Sequence, residues 1–253
     1  MATDKKTAGA LLAALLILAV GCLPAPPAHA ETNFARKSKE TVALPPLSPP
    51  DQAFPLGEKL VYDISWVGIP IGTGELWAKE KTSLAGREVY HIVGVIETNK
   101  FLSTIFPVHD EIHSWIDVAT LRSVRFEKKI SEGSKKINEK MVFETPTHDV
   151  LSAFYWVRRQ MLTPGESAKT VVRADRKEWA LEVVVMRREL ITVRGRGTFD
   201  TLLVEPRSRV AGRPEQKGKS LIHLSADSSR KPVKLTYKAP FGRIMGILRK
   251  RTP

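Results

Sequence analysis

Residues 57–76 read GEKLVYDISWVGIPIGTGEL, and the first ten of them decide the fold class. Leu60, Tyr62, Ile64 and Trp66 fall on one face while Val61, Asp63 and Ser65 fall on the other, which is the period of a half-buried strand. The run from Gly68 to Gly74 supplies residues that tolerate positive φ and end pairing, and Glu75 to Lys79 resumes the alternation. The stretch predicts a hairpin with a glycine-rich bend.

Working outward, the same alternation recurs in Glu88 to Glu97, Val108 to Ile116, Ser123 to Ile130, Lys136 to Phe143, Lys169 to Arg173, Glu178 to Met186, Glu189 to Val193, Thr198 to Glu205, Ser220 to Ser225, Pro232 to Lys238 and Gly242 to Leu248. Turn formers such as Ser131 to Ser134, Ala174 to Lys177 and Ala226 to Ser229 separate them. A sheet of about a dozen short strands curls or closes rather than staying flat. The expected fold is mainly β, a single antiparallel, curled or closed barrel-like sheet, with a β-sandwich as the alternative.

One segment departs from period two. In HDVLSAFYWVRRQMLTPGE, Val150, Ala153, Phe154, Val157 and Met161 repeat at three- and four-residue intervals. Thr147 or Asp149 can cap the start and Thr163-Pro164-Gly165 ends the run, which predicts one helix over about 149–162. Its stripe is sized to plug one end of a barrel or to cover an open sheet edge.

The chain has 253 residues, a formal charge of +13 and one cysteine. Lys5 and Lys6, the apolar run Ala8 to Val20, the prolines 24, 26 and 27 and then Ala28-His29-Ala30 have the layout of an export signal over residues 1–30. The apolar run is shorter than the roughly 20 residues that span a bilayer as a helix. Residues 31–53, with Arg36, Lys37, Lys39 and LPPLSPP, read as a proline-rich flexible arm, and residues 54–253 as one β-rich domain. If the cut follows Ala30 no cysteine remains, so the core alone must stabilise the fold in an oxidising compartment. The expected address is the periplasm or outside of a Gram-negative cell, with an outer-membrane lipoprotein, acylated at Cys22, as the minor alternative. The basic excess then points to envelope lipids or acidic glycans and not to nucleic acid.

Several segments together, in this order, resemble a known family: the opening GEKLVYDISWVGIPIGTGEL, then FLSTIFPVHDEIHSWID, DVLSAFYWVRRQ followed by PGE, RGRGTFDTLLVEP, and HLSADSSRKPVKLTYKAPFGRIMGIL. They are similar to the exported bacterial family catalogued as domain of unknown function 3108, over roughly Phe54 to Leu248. The best-matched markers are Gly57, Glu58, Leu60, Tyr62, Leu151 to Tyr155, Arg158, Gly197, Phe199, Asp227, Arg230, Pro232 and Val233. The resemblance implies a secreted or periplasmic, mostly β protein and carries no active site with it. His223 stands where an aromatic residue is expected.

The residues offer few chemical constellations. His109, Glu111 and His113 share a face if Val108 to Ile116 is a strand, a two-histidine, one-carboxylate metal set. Same-face neighbours lie roughly 6–7 Å apart, so converging on one ion takes a bend or bulge. No Gly-x-Ser-x-Gly elbow accompanies the serines, and Arg194-Gly195-Arg196-Gly197 lies between strands, where its glycines serve a tight turn. Gly212 to Ser220 misses a phosphate loop by one residue of spacing. Neither a cofactor nor a catalytic residue is assigned, and an enzyme is the weaker expectation.

Arginine and lysine crowd the second half, from Arg187 to Arg251, and arginine's planar fork suits phosphate and carboxylate. FGRIMGILRKR fits a final barrel strand better than a peripheral membrane contact. The leading expectation is a binding protein for an amphipathic or anionic envelope component, lipid or glycan. Its ligand-binding candidates are Tyr62, Trp66, Trp115, Tyr155, Arg158 and Arg230. The alternatives are an envelope assembly factor that docks on another protein, and a metal-dependent or hydrolytic enzyme.

For Cys22, the three preceding residues Ala19, Val20 and Gly21 match a lipidation signal only at the last position, whereas Ala28-x-Ala30 suits ordinary signal peptidase. An intact-mass measurement on protein from the native envelope is expected to give a chain starting at Glu31. An acylated Cys22 is the contrary result.

Overall fold

The computed structural model describes residue 47 and residues 54–249, apart from 175, 211–212, 215–217 and 241. The expected leader, with Cys22, and all of the arm but Leu47 lie outside the described residues. In chain order the elements are β1 (Lys59–Trp66), β2 (Ile69–Leu84), β3 (Arg87–Thr98), α1 (Lys100–Ser103), β4 (His109–Asp117), β5 (Ser123–Glu132), β6 (Lys135–Thr147), α2 (Val150–Arg158), β7 (Ser167–Ala174), β8 (Lys177–Val193), β9 (Gly197–Val210), β10 (Arg213–Pro214), β11 (Lys219–Ser225), β12 (Pro232–Ala239) and β13 (Gly242–Leu248).

One antiparallel sheet runs β6-β5-β4-β3-β2-β1-β13-β12-β11-β9-β8-β7, with β10 paired on β9. The mainly β, barrel-like expectation holds, and FGRIMGILRKR supplies β13, between β12 and β1. The two ends of the path, β6 and β7, nearly meet. His148 bridges Val172 in parallel, the Arg173 amide donates to the His148 carbonyl at 2.7 Å, and Arg176 reaches Glu139 of β6 at 3.5 Å. Contacts at this seam shield edges that would otherwise present unpaired backbone groups.

Helix α2 follows directly from the seam and packs against β4 and β7. Asp149, not Thr147, is its cap: the side chain accepts from the Leu151 and Ser152 amides at 2.8 and 2.9 Å, and Ser152 Oγ accepts from the Asp149 amide. Ser114 of β4 donates to the other carboxylate oxygen at 2.6 Å, which ties the helix start to the barrel wall. The helix ends at Arg158, with Arg159 as its C-cap.

The expected stripe captured only part of the buried surface. Ala153 is buried and Val150, Phe154 and Val157 pack partly, but Leu151, Ser152, Tyr155 and Arg158 are also buried, while Met161 is 70% exposed. A helix set against a curled sheet is covered on more than one side, so a single stripe underestimates its contacts. Inward positions of the strands, such as Leu60, Tyr62 and Ile64 of β1 and Leu181, Val183 and Val185 of β8, complete the core.

Two strand readings change. The bend expected over Gly68 to Gly74 is only the two-residue turn Val67-Gly68, because Trp66 pairs with Ile69 and β2 continues through both later glycines. Gly72 is small for proximity: a Cβ there would lie 2.0 Å from the Glu97 carbonyl oxygen. The segments Glu178 to Met186 and Glu189 to Val193 are one strand, β8, with a register shift between Val185 and Arg187. The extra residue of that bulge flips the alternation and imitates a strand break.

Removing the cap should expose the dependence of the seam on α2. Asp149→Ala deletes a helix cap and strands the Ser114 hydroxyl and two amides in a buried site, so urea unfolding is expected to show a loss of about 2–4 kcal/mol. A loss well under about 1 kcal/mol would mean that the helix start is held by packing alone.

Candidate functional site

The tip of the β8–β9 hairpin, Arg194-Gly195-Arg196-Gly197, folds across onto β1 and β13. Gly195 and Gly197 adopt φ of 72° and 98°, the left-handed backbone such a turn needs. Arg196 Nη1 donates to the Ile247 carbonyl at 2.9 Å and to that of Leu248, and Nη2 donates to Asp63 of β1. Arg249 donates to the other Asp63 oxygen at 2.6 Å. Burial raises the Asp63 pKa, but the hydrogen bonds from Arg249 and Arg196 outweigh it and hold the carboxyl below its usual range.

Between this tip and residues 55–61 opens a cleft of about 760 Å³. Pro55, Leu56, Val61, Phe199 and Leu248 give it apolar surface, and Lys59, Arg196, Lys231 and Arg249 give it four cations. Its one lining carboxylate, Glu58, is taken by Arg158 in a two-point pair at 2.6 and 3.1 Å. Lys59 reaches Glu75 at 2.7 Å and Arg196 and Arg249 share Asp63, so the cations outnumber their carboxylate partners. Such a lining is matched to a molecule with an anionic group and an apolar portion.

None of the six aromatic and arginine candidates lines this cleft. Tyr62 is buried and donates its hydroxyl to the Pro232 carbonyl at 2.9 Å. Tyr155 is buried with its ring 5.2 Å from that of Phe54, and Arg158, 5% exposed, also donates to the Ser229 carbonyl at 3.0 Å. Arg230 is buried and closes its own loop, donating to the Ala226 and Asp227 carbonyls at 2.5 and 2.6 Å. Trp66 is half-buried at the far end of β1, and Trp115 faces outward from β4. Arg158 touches the cleft wall through its pair with Glu58. Arg196, Lys231 and Arg249 belonged to the basic group legible in the sequence, whereas Lys59 carried no signal and Phe199 stood only among the family markers, because their juxtaposition comes from a hairpin folding over distant strands.

On the outer face of β3 and β4, Glu111 and His113 come together at 3.0 Å, but His109 turns to Glu97 at 3.1 Å. The neighbour of His113 is His91, which the sequence did not reveal: His91 Nε2 and His113 Nδ1 are 2.9 Å apart, and His91 Nδ1 lies 3.4 Å from Glu80. The register that places His91 opposite Trp115, two pairs from His113 and on the same face, is a property of strand pairing and not of either strand. Three hydrogen bonds thus run through two imidazoles and end on two carboxylates, which only accept, so completing all three takes one proton more than two neutral rings carry. Burial holds the His91 pKa below its ordinary value. Trp115 stacks on His91 at 4.7 Å and beneath Arg125 at 4.4 Å. Among the described residues no group of three or more histidine or acidic side chains converges in a metal-holding arrangement.

Inside the barrel, a void of about 20 Å³ lies between α2 and strands β8, β9 and β11, lined by apolar residues such as Phe154, Leu181 and Ile222. It is room for about one water and has no polar group to hold it.

Where β4 begins and β5 ends, Asp110 and Glu132 are both buried, and one oxygen of each, Asp110 Oδ2 and Glu132 Oε1, makes no hydrogen bond. The Ser131 amide donates to Asp110 Oδ1 at 2.9 Å and Lys135 to Glu132 Oε2 at 3.0 Å. Burial and the neighbouring Glu132 charge push the Asp110 carboxyl up to about 6.

The sequence model described as "Protein of unknown function (DUF3108)" matches residues 61–147 and 143–249. A solved β-barrel-like protein of domain of unknown function DUF1849 from Brucella abortus aligns with 76% of this chain and 95% of its own at a TM-score of 0.50 and 10% identity, a likeness of fold alone. A protein described as exported with a YmcC-like fold, from Bacteroides fragilis, covers 82% of this chain and 99% of its own at a TM-score of 0.37 and 8% identity. One described as a lipoprotein, from Parabacteroides distasonis, covers 79% and 95% at 0.35 and 10%. No curated protein matches the chain.

The Asp110 site makes a signed prediction. Between about pH 4 and pH 6 the folded chain keeps a proton that the unfolded chain has released, so this contribution is complete below the unfolded value and is lost as pH rises through about 6. Asp110→Asn cannot ionise and can donate to the Glu132 oxygen. Its melting temperature relative to wild type should therefore climb from pH 4 to pH 7, by the equivalent of about 2–3 kcal/mol. His148, pushed down to about 4 by burial and Arg122, acts in the opposite sense in both proteins, so the comparison is made at each pH. A flat difference would show that Asp110 titrates normally.

Proposed function

This chain belongs to the DUF3108 family of proteins of unknown function, and from that premise we propose that it is an exported envelope protein that binds an anionic amphipathic molecule, a lipid or an acidic glycolipid, in the cleft beside the β8–β9 tip. The observation that carries the reading is the composition of the cleft: four cations and six apolar residues, Leu60 among them, line one space of about 760 Å³. A phosphate or carboxylate group sits among Lys59, Arg196, Lys231 and Arg249, where charge-assisted hydrogen bonds are the strong ones. The apolar portion lies along Leu56, Val61, Phe199 and Leu248.

The barrel interior has a separate, structural job in this reading. Near the cleft it is occupied by α2, whose Arg158 holds Glu58 and with it the cleft wall. Pocket shape then depends on the hairpin tip, pinned by Arg196 to two carbonyls of β13. An export signal, expected from residues 1–30, would deliver the protein to a compartment rich in such molecules.

Titration of the protein with lysophosphatidylglycerol, below its micellar concentration, should show saturable binding that weakens with salt. Lysophosphatidylcholine, its neutral counterpart, should bind at least about tenfold more weakly, a difference of about 1.4 kcal/mol. Lys231→Glu and Phe199→Ser, both at solvent-accessible positions, should each cost a similar factor without lowering the melting temperature. Equal affinity for the two lipids, or affinity unmoved by either substitution, would sink the proposal.

A further inference from the structure

β1 and β13 run antiparallel from the cleft to the opposite rim of the barrel, and that rim has a different chemistry. The Val67-Gly68 turn sits beside the β12–β13 turn, where the Val67 amide donates to the Arg243 carbonyl at 2.8 Å and Val67 abuts Gly242. On its other side lies the α1 segment, whose Asn99 donates from its amide to the Ile71 carbonyl and from its side chain to the Pro70 carbonyl, both at 2.9 Å. Along this contiguous edge Val67 is 62% exposed, Ile69 63%, Phe101 78% and Ile105 71%. Lys100 and Arg243 are exposed among them, and Lys135 and Lys136 follow at the β5–β6 turn, which is joined to the same edge by the bond from the Gly133 amide to the Pro107 carbonyl.

The turn that carries Val67 is an independent sign of function. Val67 and Gly68 have φ of 49° and 87°, the two left-handed positions of a type I′ hairpin turn, where asparagine followed by glycine is favoured. A β-branched residue at positive φ is an outlier that strains the backbone. Burial does not repay it, since most of the side chain faces water. A residue that costs stability and stays exposed is explained by what it meets outside the protein.

We propose that this rim docks on an anionic lipid bilayer, with Val67, Ile69, Phe101 and Ile105 inserted among the headgroups. Lys100, Lys135, Lys136 and Arg243 then lie against the phosphates. Protruding apolar tips flanked by lysine and arginine match the layered chemistry of a membrane interface, apolar below and negative above. The charge of the whole chain, +13, favours that surface over a neutral one. The docking is separate from the cleft and does not rest on what the cleft holds.

The test is hydrogen–deuterium exchange on the full chain with vesicles of mixed phosphatidylglycerol and phosphatidylcholine, and with phosphatidylcholine alone. The mixed vesicles should slow exchange in residues 66–71, 99–106 and 240–243, and the neutral vesicles should leave these residues unchanged. Reading by segment separates the rim from any contact made by the apolar residues near the N-terminus. Val67→Asn gives the turn its favoured residue, so it should raise the melting temperature while weakening rim protection about tenfold in lipid concentration. Phe101→Ser should weaken it similarly. Protection elsewhere only, protection unmoved by Val67→Asn and Phe101→Ser, equal protection by both vesicle types, or a rim already protected in a dimer without lipid would each overturn the proposal.

Discussion

The buried pair between Arg158 and Glu58 is the contact on which the arrangement of this barrel turns. It joins the last turn of α2 to the residue that leads into β1, one hundred positions earlier, and the same guanidinium takes the Ser229 carbonyl of the β11–β12 loop. Three parts of the chain that are remote in sequence are therefore set by one planar group. Burying two charges is costly, and the two-point geometry with a third acceptor is what offsets it. Removing either partner would leave an uncompensated charge in the interior, which is far worse than losing both. The helix is thus held at both ends by acidic groups, Asp149 at its start and Glu58 at its finish, and the barrel closes around it.

Much of this was legible in the residues, and the failures have definite causes. Alternation located the strands because one face of nearly every strand is buried. It misread β8 where a bulge at Met186 reverses the faces, and it misread Gly72 and Gly74 as a bend when they are strand residues kept small by the approach of β3 and of Ile64. The helix was found by its spacing, but its full burial was not, since a stripe reports one contact face. α1 is one turn long and leaves no periodic trace. The cleft was hardest to foresee. Arg196 could be singled out as basic, yet nothing local says that a hairpin tip will lie on Asp63 and β13, because that depends on how far the β8–β9 pair extends beyond the pairing of β9 with β11.

Charge on the second half is less uniform than its composition suggests. Arg187 pairs with Glu189, Arg188 with Asp200, and Arg207 and Lys219 with Glu205, so much of the basic excess between β8 and β11 is met within the sheet by carboxylates on the same or an adjacent strand. The exposed one, between Arg187 and Glu189, contributes little to stability, on the order of 0–1 kcal/mol. The effect of these pairs is on where the remaining field lies. Cations gather at the cleft, as Lys59, Arg196, Lys231 and Arg249, and exposed ones also lie at the turn-bearing rim, as Lys100 and Arg243.

The length of β1 sets the distance between the two ends of the barrel. The strand spans eight residues from Lys59 at the cleft to Trp66 at the rim, about 25 Å at strand rise. That is several times the thickness over which a surface potential acts at physiological salt, about 8 Å. On the two proposals, a molecule in the cleft would lie beyond the field of a membrane surface at the rim, so the two ends would meet separate molecules. The chain also enters the barrel at the cleft end, through Phe54, Pro55 and Leu56, with Phe54 stacked on Tyr90 at 4.0 Å. The segment that leads into β1 is thereby tied to β3 and, through the stack of Phe54 on Tyr155 at 5.2 Å, to α2 on the cleft side of the domain.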